Sequence, residues 1–122
     1  MKIDPEKSLY FYRAIVVSIY DGDTITADVD LGMKIWLRGE KLRLFRINTP
    51  ELTGDERPRG LAARDFLREI LPIGAEILIS TFRDERGKFG RFLAEIWAPK
   101  NDEFFNVNDF LVKKNFAEYK NY

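Results

Sequence analysis

Between Thr24 and Leu31 the chain alternates without a break: Thr24, Thr26, Asp28 and Asp30 fall on one side, Ile25, Ala27, Val29 and Leu31 on the other. A period of two is that of a β-strand with one buried face and is incompatible with a helix, whose side chains recur every 3.6 residues or so. Just ahead of it, Phe11 to Tyr20 is rich in β-branched and aromatic residues, and the Asp21-Gly22 pair between the runs is a tight-turn signal. The two runs therefore predict an antiparallel hairpin. At 122 residues the chain has material for one core, so residues 1–122 are expected to form a single domain with one site.

The remaining pattern extends the hairpin into a barrel. Lys41 to Ile47 predicts a third strand, in which Leu42 and Leu44 alternate with Lys41 and Arg43 until the phase slips at Phe45, where a bulge is expected. Leu61, Ala63, Phe66, Leu67, Ile70 and Leu71 recur at helical spacing, and Pro72 with Gly74 ends that pattern. Glu76 to Phe82 and Phe89 to Trp97 predict two further strands around a charged loop containing Gly87. Asn106 is placed to cap a short helix carrying Val107, Phe110, Leu111 and Val112, and Asn115 suits the left-handed position that follows it. Three strands, a helix, two strands and a helix give a mainly β chain with helices, of α+β class. The expected architecture is an OB-type five-stranded Greek-key barrel with one helix between strands 3 and 4 and a short C-terminal helix.

Composition narrows the chemistry. With neither cysteine nor histidine, the chain has no thiolate or imidazole ligand for zinc and no Ser-His or Cys-His nucleophile pair. Catalysis would have to run on carboxylates, Arg, Lys, Tyr or an oxygen-bound metal. Twenty Lys plus Arg balance twenty Asp plus Glu, so affinity for phosphates has to be local rather than global. One such region is Lys34 to Arg46, with Lys34, Arg38, Lys41, Arg43 and Arg46 against Glu40; it reads as a phosphate track or as a solvated barrel face. The arginines of the helix, Arg57, Arg59, Arg64 and Arg68, are offset by Asp55, Glu56, Asp65 and Glu69 and read as a charged outer face. The opening MKIDPEKS has no apolar core run, and no stretch approaches the length of a membrane span. The expectation is a soluble protein without export signal or membrane partner, in the cytoplasm or in a compartment that the sequence leaves open.

Three segments gather polar groups where strands end: DGDT at Asp21 to Thr24, RLFRINTPE at Arg43 to Glu51, and GKFGR at Gly87 to Arg91. Asp23, just past a tight turn, is the best candidate oxygen ligand for a hard cation, although Asp in such a turn commonly bonds its own backbone. Together, in this order and spacing, the three segments resemble the signature of the staphylococcal nuclease (thermonuclease) family, and the similarity runs from about Ile15 to Ala117 with the VN-x-x-LV stretch at Val107 to Val112.

The resemblance implies a calcium-dependent nuclease that hydrolyses phosphodiester bonds of DNA, with RNA as an open second substrate, leaving 3′-phosphates. It implies a Ca²⁺ site at Asp23, Asn48 and the Thr49 carbonyl, with Asp21 supporting the turn. Glu51 is then the general base on the attacking water, Arg43 and Arg91 are the phosphate-contacting arginines, and Lys88 and Phe89 face the nucleotide. Two positions depart from the family pattern: Asn48 stands where a carboxylate is usual, which removes one negative charge from the site, and Phe89 stands where Tyr is common, which keeps a ring but drops a hydroxyl. The alternative is a non-catalytic OB-like module that binds nucleic acid or protein. Family members that continue into a further C-terminal helix cover a side of the barrel that this chain is expected to leave open or to cover with a second copy, as monomer or homodimer.

Overall fold

A computed structural model describes Glu6 and residues 9–83 and 91–120. The hairpin is formed by β1 (Phe11–Asp21) and β2 (Thr24–Asp30), and β3 (Trp36–Leu44) pairs antiparallel with β2. After the short β4 (Ile47–Asn48) and a 3₁₀ turn at Gly54–Glu56 comes α1 (Arg57–Ile70), followed by β5 (Glu76–Arg83) and β6 (Arg91–Lys100). The described chain ends with β7 (Glu103–Asn106), α2 (Val107–Lys113) and β8 (Glu118–Tyr119). The main sheet has the order β3-β2-β1-β5-β6-β7. Lys41 to Leu44 of β3 also pair in parallel with Arg91 to Ala94 of β6. That contact closes β1, β2, β3, β5 and β6 into a barrel and leaves β7 as an added edge strand. The fold is the expected OB-type barrel.

Alternation in the strands fills the interior. Val16, Ile25, Ala27, Leu42, Ile79 and Ile96 are buried and share one core cluster, each large aliphatic side chain contributing about 1.5–3 kcal/mol by leaving water. α1 closes the barrel end beside the first hairpin turn through its buried Gly60, Ala63 and Leu67. It begins at Arg57, ahead of its apolar repeat, because Pro58 fits the first helical turn, where no N–H partner is required. α2 is capped as expected: the Asn106 side chain accepts the Asp109 N–H at 2.9 Å, and Asn115 adopts φ 66° just past the helix. Phe66 of α1 stacks on Phe110 of α2, with centroids 5.9 Å apart, and on Phe116 just past that helix at 4.4 Å, which joins the two helices.

Some boundaries differ from the sequence reading. β3 starts at Trp36 rather than Lys41, because its first half pairs with β2 through Val29–Leu37 and Asp30–Trp36, contacts that an irregular residue pattern does not announce. Phe45 and Arg46 make a turn instead of a bulge, with Arg46 at φ 69°. Ion pairs from Arg46 to Glu95 and Asp109 hold that conformation. β7 and β8 are short edge pairings, with β8 matched to β4 through Ile47–Tyr119 and Asn48–Glu118. Lys88 and Phe89 lie outside the described residues. Among the described residues, no helix is long and apolar enough to cross a membrane.

Candidate functional site

The Asp-Gly-Asp turn is built for close packing. A Cβ on Gly22 would come within 2.8 Å of the Ala63 Cβ and 3.0 Å of the Thr49 Cβ, so only glycine lets the turn lie against both α1 and the Thr49 segment. The Asp21 carboxylate accepts the Asp23 N–H at 3.0 Å, the local turn bond typical of Asp at this position. Asp23 is thereby aimed inward rather than to solvent and is only 6% exposed.

From there the cluster spreads across three strands. Asp23 Oδ2 accepts the Thr49 backbone N–H at 3.0 Å and lies 3.3 Å from Arg43 Nη2, while the Thr24 hydroxyl donates to Asp23 Oδ1 at 3.3 Å. Arg43 is 7% exposed. It donates through Nη1 to the Leu44 and Ile47 carbonyls at 2.8 and 3.0 Å, and through Nη2 to Asn48 Oδ1 at 3.2 Å. A guanidinium with its ion pair and hydrogen bonds in place is fixed in position before any ligand arrives.

The structure therefore brings Asp21, Asp23, Arg43, Asn48 and Thr49 into one bonded cluster. Glu51 stands two residues beyond Thr49 with its N–H bonded to Glu56 Oε2 at 3.3 Å; its carboxylate is exposed and lies outside that cluster. Its position is set by α1, because a Cβ on Gly60 would fall against the Glu51 carbonyl, 2.9 Å from the Pro50 oxygen. Arg91 faces the adjoining groove: it pairs with Lys41, two residues along β3 from Arg43, and lines an open groove of about 630 Å³ together with Asp21.

Electrostatics at the turn are those of two crowded carboxylates. Burial, then the charge of Asp23, pushes the Asp21 carboxyl up to about 6. This bears on whether calcium suits the residues present: two adjoining carboxylates repel each other, and a divalent cation is the natural relief. Asn48 Oδ1, which accepts from Arg43, and the Thr49 carbonyl are hard oxygen donors of the right kind. The donor set fits Ca²⁺. Among the described residues no three acidic side chains converge, so amide, carbonyl and water oxygens would have to complete the coordination.

The basic run from Lys34 to Arg46 does not form one track. Arg38 pairs with Asp28 at 3.0 Å and lies over the Trp36 ring, Arg43 pairs with Asp23, and Arg46 makes a two-pronged bond to Glu95 at 2.7 Å. The Glu95 bonds raise the Arg46 pKa still further. Lys41 remains, exposed, in the groove. Arg57 and Arg64 bond locally as a charged outer face does, to the Leu52 carbonyl and to Asp65, whereas Arg68 donates to the Ile19 carbonyl at 3.0 Å and ties α1 to β1.

Sequence reasoning missed Ser18, Tyr20 and Thr26, which line the groove with Arg91. A register shift in β1 between Val16 and Ser18 leaves Val17 and Ser18 both exposed, so alternation counted from the apolar residues assigns the wrong face beyond it. It also passed over Asn108. That side chain is buried and bonds the Ile96 N–H and the Phe45 and Ala94 carbonyls, tying α2 to the barrel.

A closed barrel with this polar cluster at its helix-capped end defines an SNase-like domain, and comparison with known proteins agrees. The model of the staphylococcal nuclease homologue family matches residues 41–122, and the chain belongs to that family. It is 25% identical over 126 residues to the uncharacterized protein MJ1439 of Methanocaldococcus jannaschii, an alignment covering 87% of this chain and 58% of that protein. The chain thus spans under two thirds of the length of this relative. Among solved structures it resembles the extended Tudor domain TD3 of mouse TDRD1, in complex with a MILI peptide containing dimethylarginine, with a TM-score of 0.63, 7% identity, and coverage of 91% and 94% of the two chains. At that identity the likeness concerns the fold alone.

Proposed function

We propose that this domain is a calcium-dependent phosphodiesterase acting on DNA, with RNA as an open second substrate, and that it leaves 3′-phosphates. The observation that carries the reading is the convergence of Asp23, Arg43, Asn48 and Thr49 in one bonded cluster, beside a groove lined by Arg91. Asp23, Asn48 and the Thr49 carbonyl would hold the Ca²⁺. When bound, the ion polarises the phosphate.

The chain's own residues account for the rest. Arg43, fixed by its carbonyl bonds, and Arg91, facing the groove, set positive charge where the phosphoryl oxygens gain negative charge in the transition state. Glu51 takes the proton of the water whose oxygen bonds to phosphorus. The P–O5′ bond breaks, and the 5′ oxygen leaves as a hydroxyl after taking a proton from solvent water. Asn48 already accepts from Arg43, and it brings no charge of its own, so the cation is held weakly, near the millimolar range of extracellular modules.

The test is digestion of single- and double-stranded DNA and RNA with Ca²⁺, with Mg²⁺ and with chelator. Glu51→Gln is expected to keep the fold and lose about 10²–10⁴-fold in turnover, and a fully active variant removes Glu51 from this role. The second reading is a binding module without catalysis. It draws on the ion pair that already neutralises Arg43 and on the fold shared with a peptide-binding Tudor domain. Binding of nucleic acid with no cleavage in Ca²⁺ would establish it.

A further inference from the structure

The barrel end away from α1 is an apolar mouth. β1 begins there, β2 ends there and β3 sets out from it, and the inward-facing alternation runs on past the enclosed core. Tyr10, Leu31, Leu37 and Phe92 follow the buried Val29 and Leu42 and stand between 39% and 61% exposed around a cavity of about 270 Å³. No residue of either helix lines it. Among the described residues in its lining, Glu40 alone carries a charge. That carboxylate is half-buried and, among the described residues, has no ion pair. A charge held in apolar surroundings calls for a cation.

The turn between β2 and β3, at the rim of this mouth, carries the complement. The Ile35 N–H bonds the Gly32 carbonyl at 3.0 Å, and Met33 and Lys34 between them take φ 55° and 67°. Both lie in the left-handed region, as in a type I′ turn, for which Asn-Gly is the usual pair. Methionine there is strained, and its side chain is nonetheless 92% exposed, beside an exposed Ile35. A flexible apolar side chain held out in water by strained backbone is put to use only against another surface. Next to it Lys34 supplies a cation that, among the described residues, has no ion pair either.

We propose that the mouth is the face of a two-fold symmetric dimer of this chain, in which the Met33 tip of each copy enters the mouth of the other and Lys34 pairs with Glu40 across the interface. The occupant is a second copy because knob and socket belong to one face of one molecule: Leu31, two residues before Met33, lines the mouth. The charges that lack partners on that face are of opposite sign, and a two-fold axis brings each onto the other twice. The Asp23 cluster, at the α1 end of the barrel, stays uncovered in both copies, so the dimer stands or falls apart from the proposed catalysis.

The test is sedimentation velocity of the 122-residue chain over a range of concentrations, with melting curves for each variant. The parent is expected to show a monomer–dimer equilibrium. Lys34→Glu and Glu40→Lys are each expected to weaken the dimer about 10- to 100-fold, since each sets like charges together at both symmetric contacts. An equimolar mixture of the two is expected to dimerise like the parent, because both contacts of the mixed pair then join opposite charges. Met33→Asn suits the left-handed turn, so it is expected to melt no lower than the parent and yet to dimerise about 10-fold more weakly through the loss of its apolar contact. A parent that is monomeric at every concentration, a dimer that tolerates both charge reversals, or a mixture that associates no better than its separate components overturns the proposal.

Discussion

Asp21 and Arg43 show how a single side chain at this site trades stability for position. The carboxyl of Asp21 is pushed from 3.8 up to about 6 by burial and then by Asp23. An acid whose folded value is raised binds more protons when folded, so its contribution to stability is fully present below about pH 4 and is lost as the pH rises through about 6. A shift of this size would amount to about 3 kcal/mol for an enclosed group. Because the side chain still reaches solvent, roughly 1 kcal/mol is the more realistic figure. Asp21→Asn keeps an oxygen for the Asp23 N–H and is expected to stabilise the metal-free protein by that amount at pH 7 and not at all at pH 4. Urea melts in chelator at the two pH values check it, and a gain that is equal at both refutes it. Arg43 has the opposite balance: Arg43→Ala strands a buried Asp23 carboxylate and is expected to cost about 3–5 kcal/mol. Its activity is therefore to be compared per folded molecule, and a melting point like the parent's would show that the pair does not hold the fold.

At the scale of elements, α1 is the part that turns a barrel into a site. Through Gly60 it meets the Pro50 and Glu51 carbonyls, and through Ala63 it meets Gly22, so one helix face sets both the Asp-Gly-Asp turn and the proposed base. Gly60→Ala gains about 1 kcal/mol of helix propensity but pushes a methyl into backbone, which costs about 1–3 kcal/mol. The net expectation is mild destabilisation with turnover lowered about 10- to 100-fold, since small displacements of a catalytic group are costly. Steady-state kinetics beside a thermal melt separate the two effects, and unchanged turnover sinks the argument. On the opposite side, Arg46, Glu95, Asp109 and Tyr119 bond β6, α2 and β8 together. That network holds β4, and with it Asn48, against β8.

Across the whole molecule, equal numbers of acidic and basic residues conceal a segregated pattern in which Arg38, Arg43 and Arg46 are neutralised by partners while Lys41 and Arg91 face an open groove. The five barrel strands, both helices and the first two polar segments were legible from residue order, because alternation, helical spacing and turn residues are local signals. β7 and β8, the turn at Arg46, the exposure of Tyr20 and the partners of the basic run were not. Each depends on a contact between residues distant in the chain or on a one-residue register shift. Residue order by itself thus determined that this chain builds a barrel with carboxylates and arginines at its strand ends. Only the closed fold decided which charges pair with one another and which line the groove, because ion pairing and burial depend on distances that barrel closure creates.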